Sequence, residues 1–225
     1  IINKKFEWDG EFSMEAGPES TVKDDLNNNL YALKSLMNIF LYVDCFKKMS
    51  VEAGFPGIYL VANVSDNSIK KEVMLQKGYD AVCYCDILGH AQQKRNTFWH
   101  KVYKHLQGIL LNRPTHVYDY SKHYKELIGE IDKDENVIPQ IVPQWDHSPR
   151  GGRKTNMYIH STPEYFAKHV RMAMEAIKGK KEEHQILMLK SWNEWAEGNY
   201  MEPDLTHGRG YIDALRQVVD EYKKR

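Results

Sequence analysis

The sequence predicts an α/β protein built on a parallel sheet. Two observations carry that prediction. Short apolar runs rich in Val, Ile and Leu alternate with longer segments whose apolar residues recur at helical spacing. The gaps between those runs are too long for hairpins and long enough for helical crossovers.

The elements follow in order. Residues 1–29 are polar and poorly patterned, and EAGPESTVKDDLNNN reads as a loop; residues 30–225 form the patterned region. LYALKSLMNIFLYVDCFKKMSVEAG reads as a helix closed by Gly54. GIYLVANVSD is a first strand, SIKKEVMLQKG a short helix ended by Gly78, and DAVCYCDILGH a second strand. Residues 91–110 and the run SKHYKELIGEI are expected to be helical. VIPQIVPQWD is a third strand, its regularity lowered by Pro139 and Pro143, and HSPRGGRKTN is a loop. STPEYFAKHVRMAMEAIKG has helix signals throughout: Ser161 or Thr162 as N-cap, Pro163 at the first position, Glu164 early and Gly179 at the end. QILMLKSW is a fourth strand, and GRGYIDALRQVVDEYKKR a closing amphipathic helix. Two architectures fit this order, a doubly wound open sheet and part of a (β/α)8 barrel. No Gly-rich phosphate loop follows any strand, which weakens the dinucleotide-binding version of the first.

Composition narrows the function. Lys plus Arg equals Asp plus Glu at 31 each, so a nucleic-acid or anionic-membrane surface is not the main business of the chain. Three cysteines give no disulfide framework. Cys83 and Cys85 share one face of a strand and are expected in the core, since no cluster has zinc-site spacing. No signal peptide or membrane span is legible, and a cytoplasmic, bacterial setting is expected.

In either architecture the functional rim lies at the C-terminal ends of the strands. Each predicted strand delivers a carboxylate there: Asp66, Asp86, Asp146, and then Glu194, Glu197 and Glu202. Trp145, Trp192, Trp195 and Tyr200 accompany the last two groups, with His147 and Arg150 beside them. Acids interleaved with aromatic faces suit carbohydrate, whose apolar C–H faces stack on Trp while its hydroxyls take bidentate polar contacts. Glycosidic chemistry also needs two carboxyl groups with separate roles. Glu194 and Glu197 are three residues apart; on a helical turn they share a face, and on an extended run they do not. Gly198 permits a sharp bend after them. The plainer alternatives are an exposed acidic loop, or a cation site of Glu194, Glu197, Glu202 and Asp204.

SWNEWAEGNYMEPD followed by HGRGYIDAL resembles the closing motif of the WbsX-like family of polysaccharide-biosynthesis proteins, which is similar to glycoside hydrolase family 99, the endo-α-mannosidase and endo-mannanase group. PQWDHSPRGG resembles a further segment of that family, with His147 standing where Asn is usual. The unit around EAGFPGIYLVANV is a weaker likeness. The resemblance implies a (β/α)8 barrel of the TIM-barrel type, of which this chain would cover mainly the C-terminal half, about four βα units. It implies Glu194 and Glu197 as catalytic acids: the first deprotonates the sugar's own 2-hydroxyl to give a 1,2-anhydro sugar, and the second protonates the leaving oxygen and then activates water. It implies substrate contacts from Trp145, Asp146, Arg150, Trp192, Asn193, Trp195, Tyr200 and Glu202. No metal or organic cofactor is required by that mechanism. The expected partner is a glycan substrate, with a second copy or a missing N-terminal half completing the barrel. Two rivals stand beside glycosidase chemistry: a glycosyltransferase of lipopolysaccharide, O-antigen or capsule biosynthesis, and a glycan-binding remnant without turnover.

Overall fold

The parallel sheet expected from the sequence is present, and its strands are short. The computed structural model describes residues 41–65, 68–85, 102, 106, 116–152 and 155–224. From Val43 onward these belong to one unit, Val43–Arg225. The strands are β1 (Val61–Val64), β2 (Ala81–Tyr84), β3 (His116–Asp119), β4 (Gln140–Ile141), β5 (Asn156–Ile159), β6 (Met188–Leu189), β7 (Asn193–Glu194) and β8 (Asn199–Tyr200). The helices are α1 (41–52), α2 (Lys71–Gln76), α3 (Tyr120–His123), α4 (Ser148–Gly151), α5 (Pro163–Ile177) and α6 (Gly210–Lys223).

The four strands expected from the sequence lie side by side and parallel. β1 pairs with β2 from Val61 opposite Ala81 to Val64 opposite Tyr84. Val82 then bridges to Val137 in parallel, with Val82 N–H donating to Asn136 O and Ile138 N–H donating to Val82 O, both at 2.8 Å. β4 pairs with β6 from Gln140 opposite Met188. Pro139 and Pro143 flank β4 and carry no N–H, which confines its regular ladder to two residues. Val82, Val137 and Val142 are buried. Of the two cysteines expected in the core, Cys83 on β2 is buried, whereas Cys85, one residue past the strand end, is only partly buried.

Helix signals hold where they are strongest. Thr162 is the N-cap of α5: its hydroxyl accepts from Tyr165 N–H at 3.4 Å, with Pro163 at the first position. Ser161, the other N-cap candidate, instead donates to Pro143 O. The helix ends at Ile177, two residues before the expected glycine. Its apolar stripe (Phe166, Ala167, Val170, Ala173) packs with Tyr211, Ala214 and Val218 of α6 around Ile141 and Met201. Gly54 closes the helix over 41–52 with φ of 86°.

Three differences stand out. SKHYKELIGEI is not one helix but α3 followed by 3-10 turns at Tyr124–Glu126 and Glu130–Lys133, because Gly129 turns to an extended φ of −123° between them. β3 and β5, unforeseen in the sequence, pair in parallel and bury Tyr118 and Tyr158 with Tyr120 and Val142. β7 and β8 form an antiparallel hairpin within the acid-rich stretch. The helix expected over 91–110 lies outside the described residues apart from Val102 and Leu106, both helical. Asp66 and Asp86 also lie outside them.

Candidate functional site

The residues that follow β4 and β6 meet. After β4 the chain turns outward through Trp145 and Asp146 into α4, then returns as β5. Tyr158 N–H donates to Trp145 O at 2.7 Å, and His147 N–H donates to Asn156 O at 3.2 Å, so Trp145–His147 is clamped against β5. Asp146 Oδ1 accepts from Ser148 N–H at 2.9 Å and sets the turn into α4.

After β6 the chain forms the β7–β8 hairpin. A clasp closes its base: Ser191 N–H donates to Asn199 Oδ1, Ser191 Oγ donates to Asn199 O at 2.8 Å, and Glu194 N–H donates to Ser191 Oγ at 3.2 Å. Between the strands Trp195–Glu197 makes one 3-10 turn, capped by Gly198 in the left-handed region at φ of 52°. A Cβ on Gly198 would sit 3.1 Å from Asp146 Cβ, and Asp146 N–H donates to Glu197 O at 2.8 Å. The hairpin is thus seated on the segment after β4. That seat needs glycine for both its φ and its space.

The turn brings both glutamates to one cation. Arg150 donates to Glu197 Oε1 at 2.8 Å and to Glu194 Oε1 at 3.3 Å. Glu197 is the more enclosed, its side chain 17% exposed against 42% for Glu194. It also accepts from Trp145 Nε1 at 3.2 Å, and His147 Nε2 lies 3.2 Å from its Oε1. Lys190 Nζ sits over the Trp145 ring, 4.6 Å from its centroid. Neither geometry open in the sequence is adopted whole: Glu194 ends β7, Glu197 lies in the 3-10 turn that follows, and both still reach Arg150.

The outer part of the hairpin is aromatic. Trp195 and Tyr200 stack with centroids 3.8 Å apart and planes at 14°, and Trp195 Nε1 donates to Glu202 Oε2 at 2.5 Å. Burial raises the Tyr200 hydroxyl above its usual range. Trp192 O accepts from Met201 N–H at 2.8 Å. Trp145, Asp146, Arg150, Glu194 and Glu197 therefore converge. Trp195, Tyr200 and Glu202 form a second, contiguous group. Asn193 on β7 and Trp192 just before it are exposed where the hairpin begins.

The cation-site alternative is not what the side chains form. Among the described residues no three His, Cys, Asp or Glu side chains group to hold a metal ion. Arg150 takes Glu194 and Glu197, Trp195 takes Glu202, and Asp204 Oδ1 accepts from Thr206 and His207 N–H at 2.7 and 2.5 Å. Two further residues belong to the site. His147 is visible in the sequence beside Asp146, and Lys190 only as a lone charge ending an apolar strand.

The family described as Glycosyltransferase WbsX matches residues 21–215. Two curated relatives, both the uncharacterized protein WxcX of Xanthomonas campestris pv. campestris, are similar over part of their length. The strain B100 protein is 29% identical over 104 residues, 46% of this chain and 15% of the relative. The strain ATCC 33913 protein is 32% identical over 101 residues, 43% of this chain and 14% of the relative. Two solved structures are similar in part. One, a glycoside hydrolase-like protein, is 15% identical, with 78% of this chain and 49% of that chain covered and a TM-score of 0.44. The other is the family 99 endo-α-mannosidase from Bacteriodes thetaiotaomicron, solved with bis-tris-propane: 16% identical, 74% of this chain and 47% of that chain covered, TM-score 0.40.

Proposed function

This chain belongs to the WbsX family of glycosyltransferases, a carbohydrate-active family, and we propose that it acts on an α-linked, mannoside-like or surface-polysaccharide glycan through Glu194 and Glu197. We take the parallel run from β1 to β6 as one arc of a (β/α)8 barrel with this pair on its C-terminal rim. The observation that carries the reading is the convergence of both carboxylates on Arg150, in a wall completed by Trp145. Two acids held beside one another are what displacement at an anomeric carbon requires.

The roles are those the resemblance implies, laid onto the exposure and contacts of each carboxylate. Glu194 is the freer of the two, with one long contact to Arg150. It takes the proton of the sugar 2-hydroxyl, whose oxygen attacks the anomeric carbon as the glycosidic bond breaks. Glu197, oriented by Trp145 and the backbone seat on Asp146, gives its proton to the departing oxygen. In the second step Glu197 takes a proton from the incoming hydroxyl, the anhydro ring opens at the anomeric carbon, and Glu194 returns its proton to the 2-oxygen. Arg150 supplies a fixed positive charge to both carboxylates throughout. Trp145, Asp146, Trp192, Asn193, Trp195, Tyr200 and Glu202 hold the sugars on either side.

The incoming hydroxyl decides the reaction class. Water gives hydrolysis, and a sugar acceptor gives transfer. The family's description favours transfer as a second reading. The experiment is a product analysis on α-mannan oligosaccharides and on lipid-linked saccharides, with and without acceptor. The enzyme is the natural chain, alongside Glu194→Gln, Glu197→Gln and the double variant. Turnover lost in both single variants supports the assignment. Full activity in the double variant would sink it, and saccharide binding without any turnover would make the protein a glycan-binding module.

A further inference from the structure

We propose that Lys190 is an anion-recognition residue of this site, so that the glycan it takes carries a carboxylate or phosphate group beside the ring that meets Trp145. The inference rests on the carbohydrate reading and adds the charge of the substrate to it.

Lys190 leaves β6 on a fixed backbone, its N–H donating to Ile141 O at 3.0 Å. Its ammonium lies 4.6 Å from the Trp145 centroid, and the same indole donates to Glu197 at 3.2 Å. Cation, aromatic face and carboxylate are therefore linked side chain to side chain. Three basic groups stand at this wall. Arg150 is occupied by both glutamates, and His147 by Glu197. Among the described residues Lys190 forms no ion pair, and no protein acceptor takes its three N–H donors. Lys190 is a partly buried residue whose ammonium has donors left for water or a ligand. The indole face holds the ammonium without neutralising its charge. A sugar ring near Trp145 would place a carboxylate or phosphate substituent within reach of the ammonium, where a charge-assisted hydrogen bond can form.

The plain alternative is that Lys190 only covers the Trp145 ring. That role has no preference for charge in the ligand, which makes the two separable. Titration calorimetry on the natural chain would use two matched pairs: oligogalacturonides with free or methyl-esterified carboxyls, and phosphorylated mannan oligosaccharides before and after phosphatase treatment. The expected result is about tenfold tighter binding of one charged series than of its neutral counterpart, a single contact's worth. Which series responds tells carboxylate from phosphate. Lys190→Met should erase the difference, and Lys190→Arg should retain most of it. Equal binding of charged and neutral partners, or an undiminished preference in Lys190→Met, overturns the anion assignment and leaves the carbohydrate reading standing. Absence of binding by every oligosaccharide overturns both.

Discussion

The two walls of the site are built by different physics. The inner wall, Trp145 to Arg150 with Glu197, is tied to strands through backbone bonds to β5 and to the hairpin, and its side chains are joined by charge and N–H donation. The outer wall, Trp195, Tyr200 and Glu202, is an aromatic stack on a two-residue hairpin, with Trp195 still 47% exposed. Precision of placement sits inside and broad apolar surface sits outside. On the proposed reading this is a division of labour: chemistry belongs to the wall tied by backbone bonds, and glycan affinity to the exposed one.

The largest expected effect breaks the inner wall. Glu197→Gln keeps the shape of the side chain but removes its acid–base function, and turnover should fall by about 10³-fold with the fold intact by circular dichroism. A loss under about tenfold would move the chemistry elsewhere. The next effect concerns what the inner wall stands on. Tyr120 donates to Val142 O at 2.6 Å, and His169 Nδ1 lies 3.0 Å from the same hydroxyl. Burial pushes His169 from 6.5 down to about 4, so the folded protein holds this imidazole neutral. Its folded value is depressed, so its contribution to stability is present above about pH 6.5 and is lost as pH falls towards 4. The unfolded chain binds the extra proton in that window, and the loss is roughly 3 kcal/mol at about 1.4 kcal/mol per pH unit. Urea denaturation across that range checks it, with His169→Gln flattening the dependence.

Smaller effects test the join and the outer wall. Gly198→Ala must adopt a left-handed φ and bring a Cβ to 3.1 Å from Asp146 Cβ. It should cost about 1–3 kcal/mol in denaturant unfolding and lower turnover by shifting Glu197. Trp195→Ala removes the exposed stack, and glycan affinity should weaken about tenfold, seen in KM more than in kcat. If Trp195→Ala struck kcat as hard as Glu197→Gln, the division between walls would fail.

Much of the fold is legible in the pattern of residues along the chain. The order of β1, β2, β4 and β6 with α2, α5 and α6, and the cap of α5, follow from periodicity and capping residues. β3 and β5 are not legible there, because HVYD and NMYI lack alternation and owe their pairing to burial of Tyr118 and Tyr158 against Tyr120. Lys190 reads as a strand-end charge until the fold sets it over Trp145.

By itself the sequence determined the class of the fold, the family and the residue types at the rim, because spacing, caps and local motifs are properties of neighbours along the chain. Only the tertiary structure decided that Glu194 and Glu197 share Arg150, that Glu197 is the enclosed one, and that Lys190 is left without an acid among the described residues. Those relations join residues some forty positions or more apart. They depend on which strand lies beside which, and on a glycine bend seated against Asp146.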